Sequence, residues 1–146
     1  MVRLVFPQHD FSMREGAGGT EIFDPLRKRW VKLSPEEWVR QNMLQYLLQE
    51  KSYPAALIGI EKEIKLGSLR KRFDLLVYDR AHQPWMLVEC KAMEVPLTQD
   101  VLDQALRYHL SVPCKYIVIT NGHYCFAYRT DERALLSLDT LPDFPE

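Results

Sequence analysis

Residues 72–92, RFDLLVYDRAHQPWMLVECKA, constrain the fold more than any other stretch of the chain. Two apolar runs, 73–78 and 85–88, are separated by a polar segment that contains a proline, a pattern typical of a β-hairpin. A turn centred between positions 81 and 82 predicts three opposed pairs: Tyr78 with Trp85, Leu76 with Leu87, and Asp74 with Glu89. The hairpin would therefore bring two carboxylates together.

Opposed carboxylates on one face of a sheet repel each other unless a positive charge lies between them. A divalent cation such as Mg²⁺ satisfies this need because it prefers carboxylate oxygens as ligands. Lys91 lies two residues beyond Glu89 and so shares its strand face. The three side chains predict a metal-dependent hydrolase in which a cation activates water and a lysine stabilises developing charge. The alternative is three solubilising charges on the solvated face of a hairpin.

Length and charge limit the other possibilities. With 146 residues, the chain is long enough for one domain. We expect a flexible arm at 1–19, one folded domain at 20–133 and a tail at 134–146. A formal net charge of −1 gives no global attraction to nucleic acid. No apolar run is long enough to span a membrane and no secretory signal is recognisable, so we expect a cytoplasmic protein with no membrane partner.

Helix and turn signals organise the rest of the chain. We expect a leading hairpin at 21–33 and a helix from Ser34 to about position 51, with Ser34 as N-cap and Glu37 completing a capping box. A strand at 58–66 precedes the hairpin, and Thr98 caps a second helix. The Asn121-Gly122 dipeptide predicts a type I′ turn between strands near 115–120 and 123–129.

Further candidate site residues lie on these elements. Glu37 and Glu63 are possible additional acidic ligands, although capping and solvent exposure are the ordinary roles of such residues. Gln104 and Tyr108 share a helix face and have hydrogen-bonding groups suited to a lysine or a phosphate. The alternative is a half-exposed polar stripe. A basic group that can contact phosphates forms the DNA-binding candidates, although such groups are more often ordinary solvated turns: Arg70, Lys71 and Arg72.

The three cysteines are odd in number and lack the CxxC spacing, which argues against a disulfide framework and a zinc site. A cysteine hydrolase that uses Cys90 or Cys125 with a histidine is a further alternative. It lacks an identifiable activating partner. His109 is interpreted as a packed or helix-surface residue, since no second histidine lies at metal-binding spacing.

The order helix, three antiparallel strands, helix, strand resembles the PD-(D/E)XK nuclease superfamily, with its motifs at Asp74, Glu89-Cys90-Lys91 and Gln104-x-x-x-Tyr108. More narrowly, DPLRKRWVKLSPEEWVRQ, IEKEI, RFDLLVYD, LVECKA and VITNG look like the N-terminal nuclease domain of type I restriction enzyme R subunits, over about residues 22–130. The implied fold is α/β of the α+β type: an αβββαβ core, with a mixed sheet flanked by helices and a small N-terminal hairpin.

The resemblance also implies residue roles. Asp74, Glu89 and the backbone carbonyl of Cys90 would bind Mg²⁺, with Mn²⁺ as a substitute, and Lys91 would be the catalytic lysine. Gln104 and Tyr108 would form the accessory motif shared with recombination-type exonucleases, with Glu37 or Glu63 as a further acidic residue.

The implied function is Mg²⁺-dependent cleavage of DNA in a restriction-modification or DNA-repair system. The expected partners are DNA and other restriction subunits, and cleavage of both strands would favour a homodimer. Because the superfamily includes inactive members, the alternative is a DNA- or protein-binding module that retains the fold without chemistry.

Overall fold

A six-stranded mixed sheet, a three-stranded antiparallel sheet and two α-helices form the fold of the computed structural model, which describes residues 1–132 and 134–146. The predicted α+β class, with helices flanking a mixed sheet behind a small N-terminal hairpin, is confirmed.

The small sheet is built from strands β1 (Met13–Gly16), β2 (Gly19–Asp24) and β3 (Arg29–Lys32). Its first strand lies within residues 1–19, for which the sequence suggested a loosely packed arm. Val2 is also buried there, and its backbone N–H donates to the carbonyl of Cys125 at 2.8 Å. The proposed division into arm, domain and tail stays a prediction.

Helix α1 (Pro35–Gln45) begins where the sequence predicted and continues as a π-helical turn, Tyr46–Glu50. Ser34 caps it, because its Oγ accepts a hydrogen bond from the Glu37 N–H at 3.0 Å. The Glu37 carboxylate does not complete the predicted capping box. It accepts hydrogen bonds from the side chains of Arg27 and Arg40 instead.

The large sheet consists of six strands in the order of the chain: β4 (Ile58–Leu66), β5 (Leu69–Tyr78), β6 (Pro84–Cys90), β7 (Tyr116–Thr120), β8 (Cys125–Thr130) and β9 (Leu135–Leu138). Neighbouring strands are antiparallel except β6 and β7. A parallel pair needs a long crossover, and helix α2 (Gln99–His109) lies within this one.

The core lies on both faces of the central strands. On one face, Leu75 and Val88 belong to the same cluster as Met43 and Leu44 of α1. On the other, Ile117 and Ile119 pack with Leu102 and Leu106 of α2. Burial on both faces explains why residues 75–78 of β5, 85–88 of β6 and 116–119 of β7 are continuous apolar runs. Charged side chains of β5 and β6 reach solvent near the ends of these strands.

The predicted type I′ turn at Asn121-Gly122 is wrong. Strand β7 ends at Thr120 and β8 begins at Cys125, so the connecting loop is four residues long. A type I′ turn needs positive φ at both central residues, and within this loop only Gly122 has it, at +90°. The Asn121 side chain organises the loop instead, because its Oδ1 accepts from the backbone N–H groups of His123 and Tyr124.

Candidate functional site

Strands β5 and β6 pair in the predicted register over their middle section. Leu76 lies opposite Leu87 as expected, but Tyr78 pairs with Pro84 and not with Trp85. A bulge between Val77 and Tyr78 shifts the register at the turn end of the hairpin. The opposed pair predicted at the other end, Asp74 with Glu89, also does not form, because the paired section stops at Leu75 and Val88.

Asp74 is directed toward the backbone of β6 and toward α1. Its Oδ2 accepts a hydrogen bond from the Cys90 N–H at 2.8 Å, and its Oδ1 accepts one from Arg40 Nη2 at 2.6 Å. Only 9% of the residue is exposed. Asp74 therefore ties the end of β6 to the first helix.

Glu89 is held from the side of α2. Its Oε2 lies 3.3 Å from Nε2 of His109, a fully buried residue, and its Oε1 lies 3.5 Å from the Lys91 ammonium. The two acids thus contact different helices, Asp74 through Arg40 of α1 and Glu89 through His109 of α2, and they do not face each other across a strand pair.

The charge of Glu89 nevertheless affects the pKa of Asp74. Burial, and after it the charge of Glu89, raises the pKa of Asp74 against the opposing effects of the Cys90 N–H and Arg40. Burial would also raise the pKa of Glu89, but His109 and Lys91 outweigh it and hold this pKa below its ordinary value. Asp74 is therefore the acid whose ionised form is less stable.

A cavity of about 570 Å³ opens beside Glu89. It brings together residues that the sequence predicted separately from β5, β6 and α2: Arg72, Glu89, Lys91, Gln104 and Tyr108. Glu36 and His109 complete its polar lining. The wall thus contains carboxylates, cations and neutral hydrogen-bonding groups within one concave surface.

Tyr108 connects α2 to β5 at the rim of this cavity. Its hydroxyl accepts from the Arg72 N–H at 3.1 Å and lies 3.2 Å from the Arg72 carbonyl, to which it donates. Lys71 donates to the Tyr108 carbonyl at 3.0 Å, and its ammonium lies 4.1 Å from the centre of the Tyr108 ring. Of the basic group at 70–72, Arg72 lines the cavity. Arg70 is exposed and lies opposite Lys65 in the register of β4 and β5.

Two predicted acidic residues lie elsewhere. Glu37 is buried outside the cavity lining, and its Oε1 accepts from Arg27 and Arg40. Glu63 is exposed on β4, opposite Arg72. Neither is among the residues that line the cavity.

Three side chains near the site were not predicted to be part of it: Glu36, Arg40 and His109. Glu36 and Arg40 are four residues apart on α1, a spacing that is visible in the sequence and typical of an ion pair on a helix. Burial, followed by the charges of Asp74 and Glu89, raises the pKa of Glu36. Glu36 therefore belongs electrostatically to the same acidic group.

Within residues 1–132 and 134–146, no three His, Cys, Asp or Glu side chains are grouped as a metal centre would require. The ligand set predicted from the sequence is smaller, with two carboxylates and one main-chain carbonyl. The chemistry of the donors fits a hard cation, because Asp74, Glu89 and Glu36 offer oxygen atoms, and the charge of Glu89 raises the pKa of both Asp74 and Glu36. A divalent ion would relieve that repulsion.

The thiols are poorly suited to catalysis. Burial raises the pKa of Cys90 well above its ordinary value and that of Cys125 to about 12. A nucleophilic cysteine needs the thiolate form near neutral pH. This removes support from the cysteine hydrolase alternative.

Fold and site together define a mixed α+β domain with an acidic and basic cavity at one end of its large sheet. The chain belongs to the family described as type I restriction enzyme R protein N terminus, whose family model matches residues 35–145. This confirms the narrower resemblance seen in the sequence, to the N-terminal region of type I restriction enzyme R subunits. The match includes α1, α2 and strands β4–β9, and it leaves out the three-stranded sheet. No curated protein matches the chain.

The described helices, within residues 1–132 and 134–146, are all too short or too polar to cross a membrane.

Proposed function

We propose that this domain is a Mg²⁺-dependent nuclease that hydrolyses DNA phosphodiester bonds in a restriction system, with Mn²⁺ as a substitute metal. The observation that carries the proposal is the convergence on one cavity of Glu89 in β6 and Lys91 just after it with Gln104 and Tyr108 from α2. The buried Asp74 is not among the residues that line this cavity, but the charge of Glu89 raises its pKa. Family membership supports the restriction setting.

Asp74, Glu89 and the backbone carbonyl of Cys90 would hold the metal. When bound, the ion would supply a more acidic water and neutralise charge on the phosphate. Asp74 is suited to this role because its hydrogen bond from the Cys90 N–H fixes it to the strand that carries Glu89. Glu36 is the acid best placed to assist them, since its charge is coupled to both.

Lys91 would be the catalytic lysine. Its ammonium lies 3.5 Å from Glu89, and about a third of its side chain is exposed to the cavity side, so it can donate to a water or to a phosphate oxygen. Arg72 and Gln104 would bind neighbouring phosphates of the DNA backbone. Tyr108 would act by keeping Arg72 and α2 together through its two hydroxyl contacts.

The partners proposed from this function are DNA and other subunits of the restriction system, with a cytoplasmic location. A homodimer would supply two sites for the two strands of a duplex. With a net charge of −1, DNA binding would depend on the local basic residues and not on a global field.

A second candidate is a nuclease-like binding module without chemistry. The contact that favours it is the 2.6 Å hydrogen bond from Arg40 to Asp74, which already supplies a positive charge to one of the proposed metal ligands. If the contacts with Arg40 and the Cys90 N–H leave Asp74 no lone pair for an ion, the carboxylates would have a structural role. Calorimetric titration of the DNA-bound protein with Mg²⁺ and Mn²⁺, compared with titration of the same DNA alone, distinguishes the candidates, because the module would add no ion binding to that of the DNA.

Lys91→Ala should reduce cleavage of plasmid DNA by about a hundredfold or more while metal uptake is retained, because it removes a donor that acts on the reacting groups. The measurement is the rate of supercoiled plasmid loss in Mg²⁺ and in Mn²⁺. Lys115→Ala is the matched control, since this exposed lysine precedes β7 at the opposite end of the sheet. A Lys91→Ala protein that cleaves at the parental rate would refute the assigned role.

A further inference from the structure

The three-stranded sheet lies outside the residues that the family model matches, yet a side chain from the turn between β2 and β3 reaches toward the site. Arg27 follows β2 and is anchored by Asp24, a fully buried residue. The Asp24 Oδ1 accepts from the backbone N–H of Arg27 at 2.8 Å, and its Oδ2 accepts from Arg27 Nε at 2.6 Å. The guanidinium is therefore fixed at its inner edge.

The two terminal nitrogens of Arg27 contact the carboxylates that also contact Arg40. Glu37 Oε1 accepts from Arg27 Nη2 at 2.9 Å and from Arg40 Nη1 at 2.7 Å. Glu61 Oε2 lies 3.3 Å from Arg27 Nη1, and Glu61 Oε1 lies 3.4 Å from Arg40 Nη2. Two guanidinium groups thus share two carboxylates.

Arg40 completes the connection through its other terminal nitrogen, which donates to Asp74 Oδ1 at 2.6 Å. Each guanidinium is largely buried, with 13% of the Arg27 side chain and 7% of the Arg40 side chain exposed. Ion pairs that are this well desolvated depend strongly on every member, because loss of one partner leaves uncompensated charge.

We propose that Arg27 is a positioning residue for the candidate site, which acts through Glu37 and Glu61 to hold Arg40 against Asp74. Without Arg27, Glu61 would keep its contact with Arg40, and Glu37 would keep Arg40 and the Gln41 amide, which donates to it at 3.2 Å. Both glutamates would then pull the Arg40 guanidinium away from Asp74. The three-stranded sheet is then part of the site's support and not a separate appendage. The functional consequence rests on the nuclease function proposed above, but the placement of Arg40 does not.

The first experiment measures Arg40 directly in the full chain by NMR. In the parent, the separate signals of its two terminal nitrogens, assigned by their loss in Arg40→Lys, report restricted rotation of the guanidinium. Arg27→Met should shift and average these signals. Arg14→Met is the control, because Arg14 pairs with Glu21 on the same sheet and contacts the Trp30 ring, away from α1. Unchanged Arg40 signals in folded Arg27→Met would overturn the proposal.

Arg27→Lys keeps the charge but not the planar fork, so it should disturb Arg40 less than Arg27→Met does. If Arg27→Met does not fold, Arg27→Lys carries the test alone. Arg40 signals identical to those of the parent would then count against the positioning role.

The second experiment measures cleavage of plasmid DNA against Mg²⁺ and Mn²⁺ concentration. Arg27→Met should raise the half-saturating metal concentration roughly tenfold, as is typical when support for a ligand is lost, while the KM for DNA changes little. Arg27→Lys should restore part of the difference. A parent protein without cleavage or metal uptake would defeat the nuclease proposal but leave the NMR result valid. An active parent whose metal dependence is the same in Arg27→Met would defeat this inference alone.

Discussion

At the scale of single residues, the site depends on how each acid is compensated. Asp74 has a backbone donor and a guanidinium, whereas Glu89 has Lys91 and a buried histidine. Despite these partners, burial and Glu89 raise the pKa of Asp74. A raised pKa in the folded state means that the contribution of Asp74 to stability is present at low pH and is lost as pH rises through that pKa.

Asp74 should therefore titrate above the ordinary aspartate range in the metal-free protein. The measurement is its carboxyl ¹³C shift as a function of pH. Glu89→Gln should move the midpoint down, because it removes the neighbouring negative charge. Asp143 is the internal control, since its contact with Lys51 lowers its pKa. An Asp74 midpoint below that of Asp143 would contradict the electrostatic description.

Cys125 should resist alkylation. Its pKa of about 12 leaves almost no thiolate at pH 8, and the residue is buried. Mass spectrometry after iodoacetamide treatment should find Cys125 unmodified in the folded protein and modified in urea. Rapid labelling of Cys125 in the folded protein would reopen the thiol-based alternative.

At the scale of secondary-structure elements, the start of α1 has two functions. Ser34 caps the helix, and the first turn that it orders contains Glu36 and Glu37, one beside the cavity and the other in the arginine network. The Ser34 cap, which can be recognised in the sequence, therefore sets the positions of Glu36 and Glu37. The partners of these two carboxylates cannot be recognised there.

Ser34→Ala should lower the free energy of unfolding by about 1 kcal/mol, because the Glu37 N–H loses its acceptor. Urea denaturation followed by circular dichroism measures this change. Ser68→Ala is the control, since Ser68 is an exposed residue in the turn between β4 and β5. Equal stability of the two variants would show that the cap contributes little.

At the scale of the whole molecule, the sequence predicts what is determined locally. The helix caps at Ser34 and Thr98 and the Leu76–Leu87 register follow from residue type and spacing, and the structure contains all three. The contact of Arg40 with Asp74 joins residues that are 34 positions apart on a helix and a strand. Nothing in the local pattern of either segment specifies it.

The same limit explains the error at Asp74 and Glu89. Strand alternation predicts that they face each other, but this holds only while β5 and β6 remain paired. The pairing ends at Leu75 and Val88, and the competing donors from Arg40 and the Cys90 N–H then decide where Asp74 points. The sequence predicted that Asp74 and Glu89 lie on neighbouring strands, whereas the direction of each side chain depends on partners distant in the chain.

The most direct test of the central claim is an anomalous difference map from crystals of the DNA-bound protein soaked with Mn²⁺. If the domain is a metal-dependent nuclease, we expect a Mn²⁺ peak about 2.1 Å from oxygens of both Asp74 and Glu89, with Arg40 still donating to the Asp74 carboxylate that the ion shares. A map without a peak, in which bound DNA is intact, would contradict the proposed nuclease function.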